Sequence, residues 1–158
     1  LEHRIGGLEK SHIYGNVSYE PDNHEFMVKM RDKKVKQIQN DIPELKVKGK
    51  SEGELLVLGW GGTYGAITEA VDKARKAGMN VSQAHLKYLN PLPKNTGEVL
   101  TSFKHILIPE LNLGQLAKLL RSQFLLPVES LIKMKGQPFK TGEIEEKINE
   151  MLGGNNGK

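Results

Sequence analysis

Read as a pattern of apolar and polar positions, the chain changes character near residue 54. Before that point apolar residues are scattered. The segments HRIGGLEK and YGNVSYEPDN, within residues 1–23, are rich in Gly, Asn, Pro and Asp and predict turns and irregular structure. PDNHEFMVKMRDKKVKQIQNDIP predicts one helix, with Asn23 or Asp22 as its cap, Glu25 in the first turn and Pro43 blocking continuation. Its apolar residues Met27, Met30, Val35 and Ile38 make only a fair stripe. ELKVKGKSEGE reads as a polar connector. Residues 1–50 are therefore expected to form an irregular lead-in, one helix and a linker, residues 51–152 an α/β domain, and residues 153–158 a disordered tail.

From Glu54 onward strands and helices alternate. ELLVLGW is a continuous apolar run of strand length, which suits a strand covered on both faces, as in a parallel sheet. Residues 63–77 place Ile67, Ala70, Val71, Ala74 and Ala77 at helical spacing, and Gly78 stands where a helix C-terminal glycine belongs. NVSQAHLKYL predicts a second strand, residues 96–102 a short helix, and HILIPE a third strand. NLGQLAKLLRSQF, ESLIKMKG and TGEIEEKINEML follow as helix, strand and helix. Four clear strands alternating with helices predict a mainly parallel sheet of the α/β class. No internal repeat is visible.

In such a sheet, ligand-facing loops leave the carboxyl ends of the strands. The loops Gly59–Thr63, Asn90–Asn95, Glu110–Gln115 and Gly136–Pro138 should therefore lie along one edge. That edge is the candidate site or interface, with Trp60, Gly61, Gly62, Thr63, Asn90, Glu110, Asn112, Gln115 and Gln137 as its residues. The glycine loop GWGGTYG lacks the lysine of a phosphate-binding P-loop, and the next strand ends in Leu86-Lys87-Tyr88-Leu89 without the carboxylate of a dinucleotide site. A tight turn, with Thr63 capping the helix, is the simpler reading. Trp60 could anchor a partner or pack on the following helix. Glu110, a lone carboxylate at a strand end, reads better as a helix cap or interface group than as a general base.

Composition narrows the chemistry. The 158 residues carry no cysteine, which excludes disulfides, a cysteine nucleophile and a cysteine-held iron–sulfur cluster in this chain, and suits a reducing cytoplasm. The five histidines, at 3, 12, 24, 85 and 105, form no ligand pair, so no metal is expected. A net charge of +4, with lysines clustered at 29–36 and 46–50, is mild and gives no nucleic-acid footprint. No apolar run predicts a membrane span, and no signal-peptide pattern is visible.

The phrases LEHRIGGLEK, GNVSYEPDNHEFMVKMRDKKV, LLVLGWGGTYGAITEAV, HLKYLNPLPKNTGEVL, ILIPELNLGQLAKLLR and KGQPF occur in this order. Over residues 2–150 the chain closely resembles the C-terminal part of the alpha subunit of 2-oxoacid:ferredoxin oxidoreductases, in particular the 2-oxoglutarate (2-oxoglutarate synthase) type. It departs at Gly62, where the family phrase has Ser. The resemblance implies a transketolase C-terminal-like domain: a three-layer α/β/α sandwich on a mostly parallel five-stranded sheet with one antiparallel edge strand. The fifth strand would be the ELKVKG region or lie near the C-terminus. It also implies an enzyme that oxidatively decarboxylates a 2-oxoacid with coenzyme A, giving an acyl-CoA and reducing ferredoxin. Thiamine diphosphate, Mg²⁺ and iron–sulfur clusters would be held mainly by the beta subunit and the preceding alpha domain, and none by this chain. Its role would be assembly: packing against the rest of the alpha subunit, the beta subunit or a symmetry mate. The rival readings are a free-standing Rossmann-like nucleotide or small-ligand module, and an interaction domain unrelated to redox enzymes.

Overall fold

The computed structural model describes residues 6–153, so the expectation of a disordered tail falls outside it apart from Gly153, which ends the last helix. The chain divides into two compact units, Leu1–Ile42 and Pro43–Lys158. The division comes earlier than the expected boundary at residue 50, because the segment read as a polar connector contributes a strand to the second unit.

The first unit holds an isolated bridge, Lys10 to Val17, and helix α1, Pro21–Ile38. Proline at the first helical position costs nothing there, since that N–H would have no helical partner. No side chain caps the helix. Asn23, expected to cap it, donates to the Lys10 carbonyl at 2.8 Å and accepts from the His12 amide at 3.0 Å instead. Glu9 ties the lead-in to α1, accepting from both Arg31 nitrogens, at 3.1 and 2.9 Å, and contacting His24 Nδ1 at 2.9 Å.

The second unit is a three-layer sandwich. Its sheet has five strands in the order β1-β3-β2-β4-β5. These are β1 Val47–Lys48, β2 Gly53–Trp60, β3 Val81–Leu86, β4 Phe103–Glu110 and β5 Val128–Ile132. The four longer strands pair in parallel, and β1 joins the edge antiparallel to β3. The connecting helices are α2 Tyr64–Lys76, α3 Thr96–Thr101, α4 Gln115–Phe124 and α5 Thr141–Gly153.

The apolar run of β2 serves both faces. Leu55 and Val57 join Ile67, Ala70, Val71, Ile144 and Ile148 of α2 and α5 in one core cluster. Leu56 and Leu58 join Leu100, Leu116, Ala117 and Leu120 of α3 and α4 in the other. Doubly covered strands have no solvent face to alternate with, which is why Leu55–Leu58 of β2 and Ile106–Ile108 of β4 read as unbroken apolar runs.

Candidate functional site

Because β2, β3, β4 and β5 run parallel, their carboxyl ends lie together. Trp60 pairs with Leu86 and Glu110 with Ile132 in the sheet register. The loops that follow these strands therefore share one edge, and the nine candidate residues fall on them, on the strand ends or, for Gln115, on the first position of α4.

The glycine turn after β2 is built by contacts close to the chain. Thr63 is buried, and its hydroxyl donates to the Trp60 carbonyl at 2.9 Å and accepts from the Trp60 amide at 3.3 Å. It closes the turn on itself and does not cap α2 with its side chain, contrary to expectation. Gly59 lies where the turn meets the sheet: a Cβ there would stand 2.6 Å from Ile67 Cδ1 and 2.9 Å from His85 Nδ1. Gly61 has a φ of +57°, and a Cβ at Gly61 or at Gly62 would meet nothing within 4 Å. Trp60 is half-buried and packs on the core cluster of α3 and α4, on the face opposite the helix that follows it.

Glu110 ends β4 fully buried. Its carboxyl oxygens accept from the Leu116 amide at 2.8 Å and the Ala117 amide at 3.0 Å, satisfying two of the donors that a helix start leaves open. Asn112 Oδ1 takes the Gln115 amide at 2.9 Å. Glu110 and Asn112 together fasten the start of α4, and Glu110 and Thr63 present no side chain to a partner. Gly62, Asn90, Gln115 and Gln137 are exposed. Asn90 precedes a cis proline, Pro91. After β5 the chain is held by Lys133, whose Nζ reaches the Pro138 carbonyl at 2.9 Å and Glu143 at 2.7 Å and stands 5.7 Å from the Phe139 ring centre.

Two features escaped sequence reading. The first is apolar: Leu111, Leu113, Ile132 and Met134 are exposed on the β4–β5 part of the edge. The second is a cleft of about 480 Å³ bordered by Glu44, Lys46, Lys48, Tyr64, Gln83, His85, Lys87 and Tyr88. On β3, Ala84 and Leu86 face the α3–α4 core, so Gln83 and His85 point to the α2 side. Tyr64 meets the His85 ring edge-on at 5.0 Å between centres. Burial first, and the positive charge of Lys87 second, hold the His85 imidazole below its usual pKa, with a backbone interaction at Gly61 opposing them. The sequence signal was a glutamine and a histidine at alternate positions of an otherwise apolar strand. Among the described residues no group of His, Cys, Asp and Glu could hold a metal ion, and no helix is long and apolar enough to cross a membrane.

No family model matches the chain. It is similar to the 2-oxoglutarate oxidoreductase subunit KorA of Mycobacterium tuberculosis, 48% identical over 155 residues that take in 98% of this chain and 23% of the relative. Subunit alpha of 2-oxoacid:ferredoxin oxidoreductase 1 of Aeropyrum pernix is 31% identical over 148 residues, 88% of this chain and 23% of its own length. Among solved structures, the 2-oxoglutarate:ferredoxin oxidoreductase from Magnetococcus marinus with 2-oxoglutarate, coenzyme A and succinyl-CoA bound is similar with a TM-score of 0.85 at 27% identity, over 95% of this chain and 27% of that one. The chain thus spans about a quarter of the length of the curated relatives it matches.

Proposed function

Because the chain belongs to the alpha-subunit family of 2-oxoacid:ferredoxin oxidoreductases, as a C-terminal domain of such a subunit, we propose that it acts in assembly and carries no catalytic group of its own. The proposed whole enzyme is cytoplasmic. It oxidatively decarboxylates a 2-oxoacid, 2-oxoglutarate, with coenzyme A to the acyl-CoA and passes the electrons to ferredoxin. Thiamine diphosphate, Mg²⁺ and the iron–sulfur clusters are assigned to the rest of the alpha subunit and to the beta subunit. A chain without cysteine has no thiolate to offer a cluster.

The observation that carries this reading is the combination of 48% identity across nearly the whole chain with coverage of only 23% of the relative. A domain alike throughout, yet a minor part of the longer protein, belongs in that protein's architecture. The carboxyl edge supplies the surface. Its exposed leucines, Leu111 and Leu113, stand beside polar Gln115, the mixture of apolar centre and polar rim that protein contacts use.

The test is co-expression with the preceding alpha region and the beta subunit, followed by pull-down and by viologen reduction with 2-oxoglutarate and coenzyme A. Assembly and turnover are expected. An assembled complex that reduces viologen with other 2-oxoacids and ignores 2-oxoglutarate would remove the substrate assignment. Leu113→Asp and Gln115→Arg probe the edge better than changes at Trp60 or Asn112, which also serve the fold. Both are expected to weaken pull-down at least tenfold, and variants that assemble normally would count against this edge as the contact surface.

A further inference from the structure

Gln83 lies at the floor of the β1–β3 cleft and is 2% exposed. Its Nε2 donates to Thr68 Oγ1 at 2.8 Å, and Thr68 Oγ1 donates to the Tyr64 carbonyl at 2.8 Å. The Thr68 proton is committed to Tyr64, so Thr68 can only accept from the glutamine amino group. That order fixes the amide and leaves Gln83 Oε1 as its remaining, buried acceptor. It has no hydrogen-bond partner among the described residues, and neither does His85 Nδ1, two residues along the same face. Buried acceptors are nearly always paired, because leaving one bare forfeits its hydration with nothing in return.

The surroundings say what would pair them. Lys48 is held by Asp72 of α2 at 2.7 Å. Lys46 and Lys87 make no ion pair among the described residues, and Glu44 is the only acid on the lining. Tyr64 and Tyr88 expose about half of their surfaces beside them. A bare phosphate would suit the lysines and leave the Gln83 acceptor unmet. A stretch of polypeptide brings N–H donors and carboxylates together. The cleft also adjoins the carboxyl edge, since Tyr64 opens α2 directly after the glycine turn and Lys87 follows the end of β3.

We propose that this cleft is the docking site of an acidic segment from the remainder of the same alpha subunit, which places an N–H on Gln83 Oε1 and carboxylates on Lys46 and Lys87. The proposal rests on the reading of the chain as one domain of a longer subunit. It extends the contact surface from the carboxyl edge around the end of β3 to the β1 side of the sheet.

Hydrogen exchange compared between the 158-residue chain and the full alpha subunit assembled with its beta subunit tests it. The amides of residues 44–48 and 85–88 are expected to slow at least tenfold in the assembly. If they exchange equally in both while residues 61–65 and 111–114 are protected, the cleft proposal is overturned and the assembly reading stands. If neither set is protected, both fall. As a second measurement, the double variant Lys46→Glu/Lys87→Glu should melt as the native chain does by itself, yet lose the protection of residues 44–48 in the assembled subunit. Lys76→Glu, at the far end of α2, should leave that protection unchanged. Unchanged protection in the double variant overturns the proposal.

Discussion

At the scale of the residue, two glycines of one turn separate packing from conformation. A Cβ at Gly59 meets Ile67 and His85 below 3.0 Å, one of them a fully buried core side chain. Gly59→Ala is expected to cost about 1–3 kcal/mol through forced repacking. At Gly62 the space is open and φ is ordinary, so Gly62→Ser, which restores the residue of the family phrase, should change stability by less than about 0.5 kcal/mol. Chemical denaturation of the two variants checks the contrast, and equal midpoints would contradict it. The sequence showed that these glycines mark a turn, but not which of them faces a wall, because that depends on His85 arriving from β3. Glu110 shows the same limit. A capping role was legible from its place at a strand end, while its burial and its choice of the Leu116 and Ala117 amides follow from how β4 meets α4. Glu110→Ala strips both amides of their acceptor and should cost about 2–6 kcal/mol, at about 1–3 kcal/mol per stranded group, read as a lower denaturation midpoint at an unchanged slope.

At the scale of the element, long periodic segments were readable from their pattern, while the short antiparallel edge strand in ELKVKG came only from the family resemblance, as one of two alternatives. β2, β4, α2 and α5 were expected near their observed bounds because their apolar residues answer to a core on one or two faces. β1 has only two residues, and the sequence around it alternates lysine with small or apolar residues, so it resembles a linker as much as an edge strand. β5 was expected to run to Gly136 but stops at Ile132, where Lys133 turns to Pro138 and Glu143. Helix α1 has no buried residue, so its tie to the lead-in is largely polar. Hydrogen bonds from Arg31 first, then from the Lys10 amide, hold the Glu9 carboxyl at about 2 against a usual 4.5. A carboxylate with a depressed folded pKa contributes its stabilisation fully above the unfolded value and loses it as pH falls through the folded one. The link between Glu9 and α1 should therefore stay intact above pH 4.5 and loosen on acidification toward pH 2. A carbon-detected NMR titration should show Glu9 well below the other glutamates in the native chain and near them in Arg31→Ala. A normal Glu9 titration in the native chain would refute the coupling.

At the scale of the whole molecule, stability and cooperativity should reside almost entirely in the second unit. Every buried hydrophobic residue described, from Leu45 to Ile148, lies after residue 42, and both core clusters and all five strands do as well. A chain of 43–153 keeps each of these groups and the antiparallel edge strand that a cut at residue 50 would remove. It is expected to unfold in one cooperative transition within about 3 °C of the intact chain, since a melting shift tracks lost burial and little is lost. A chain of 51–153 loses Leu45, Val47 and the hydrogen bonds that Asn95 makes with the Leu45 backbone at 2.8 and 3.0 Å. It should melt markedly lower, by about 4–8 °C for each kcal/mol removed in a domain of this size. Among the described residues of the 1–42 piece no hydrophobic side chain is buried, and the piece alone should show only partial, non-cooperative helix by circular dichroism. Calorimetry of the three pieces decides the matter. A sharp transition in the 1–42 piece, or equal melting of the two longer ones, would mean that the boundary lies elsewhere.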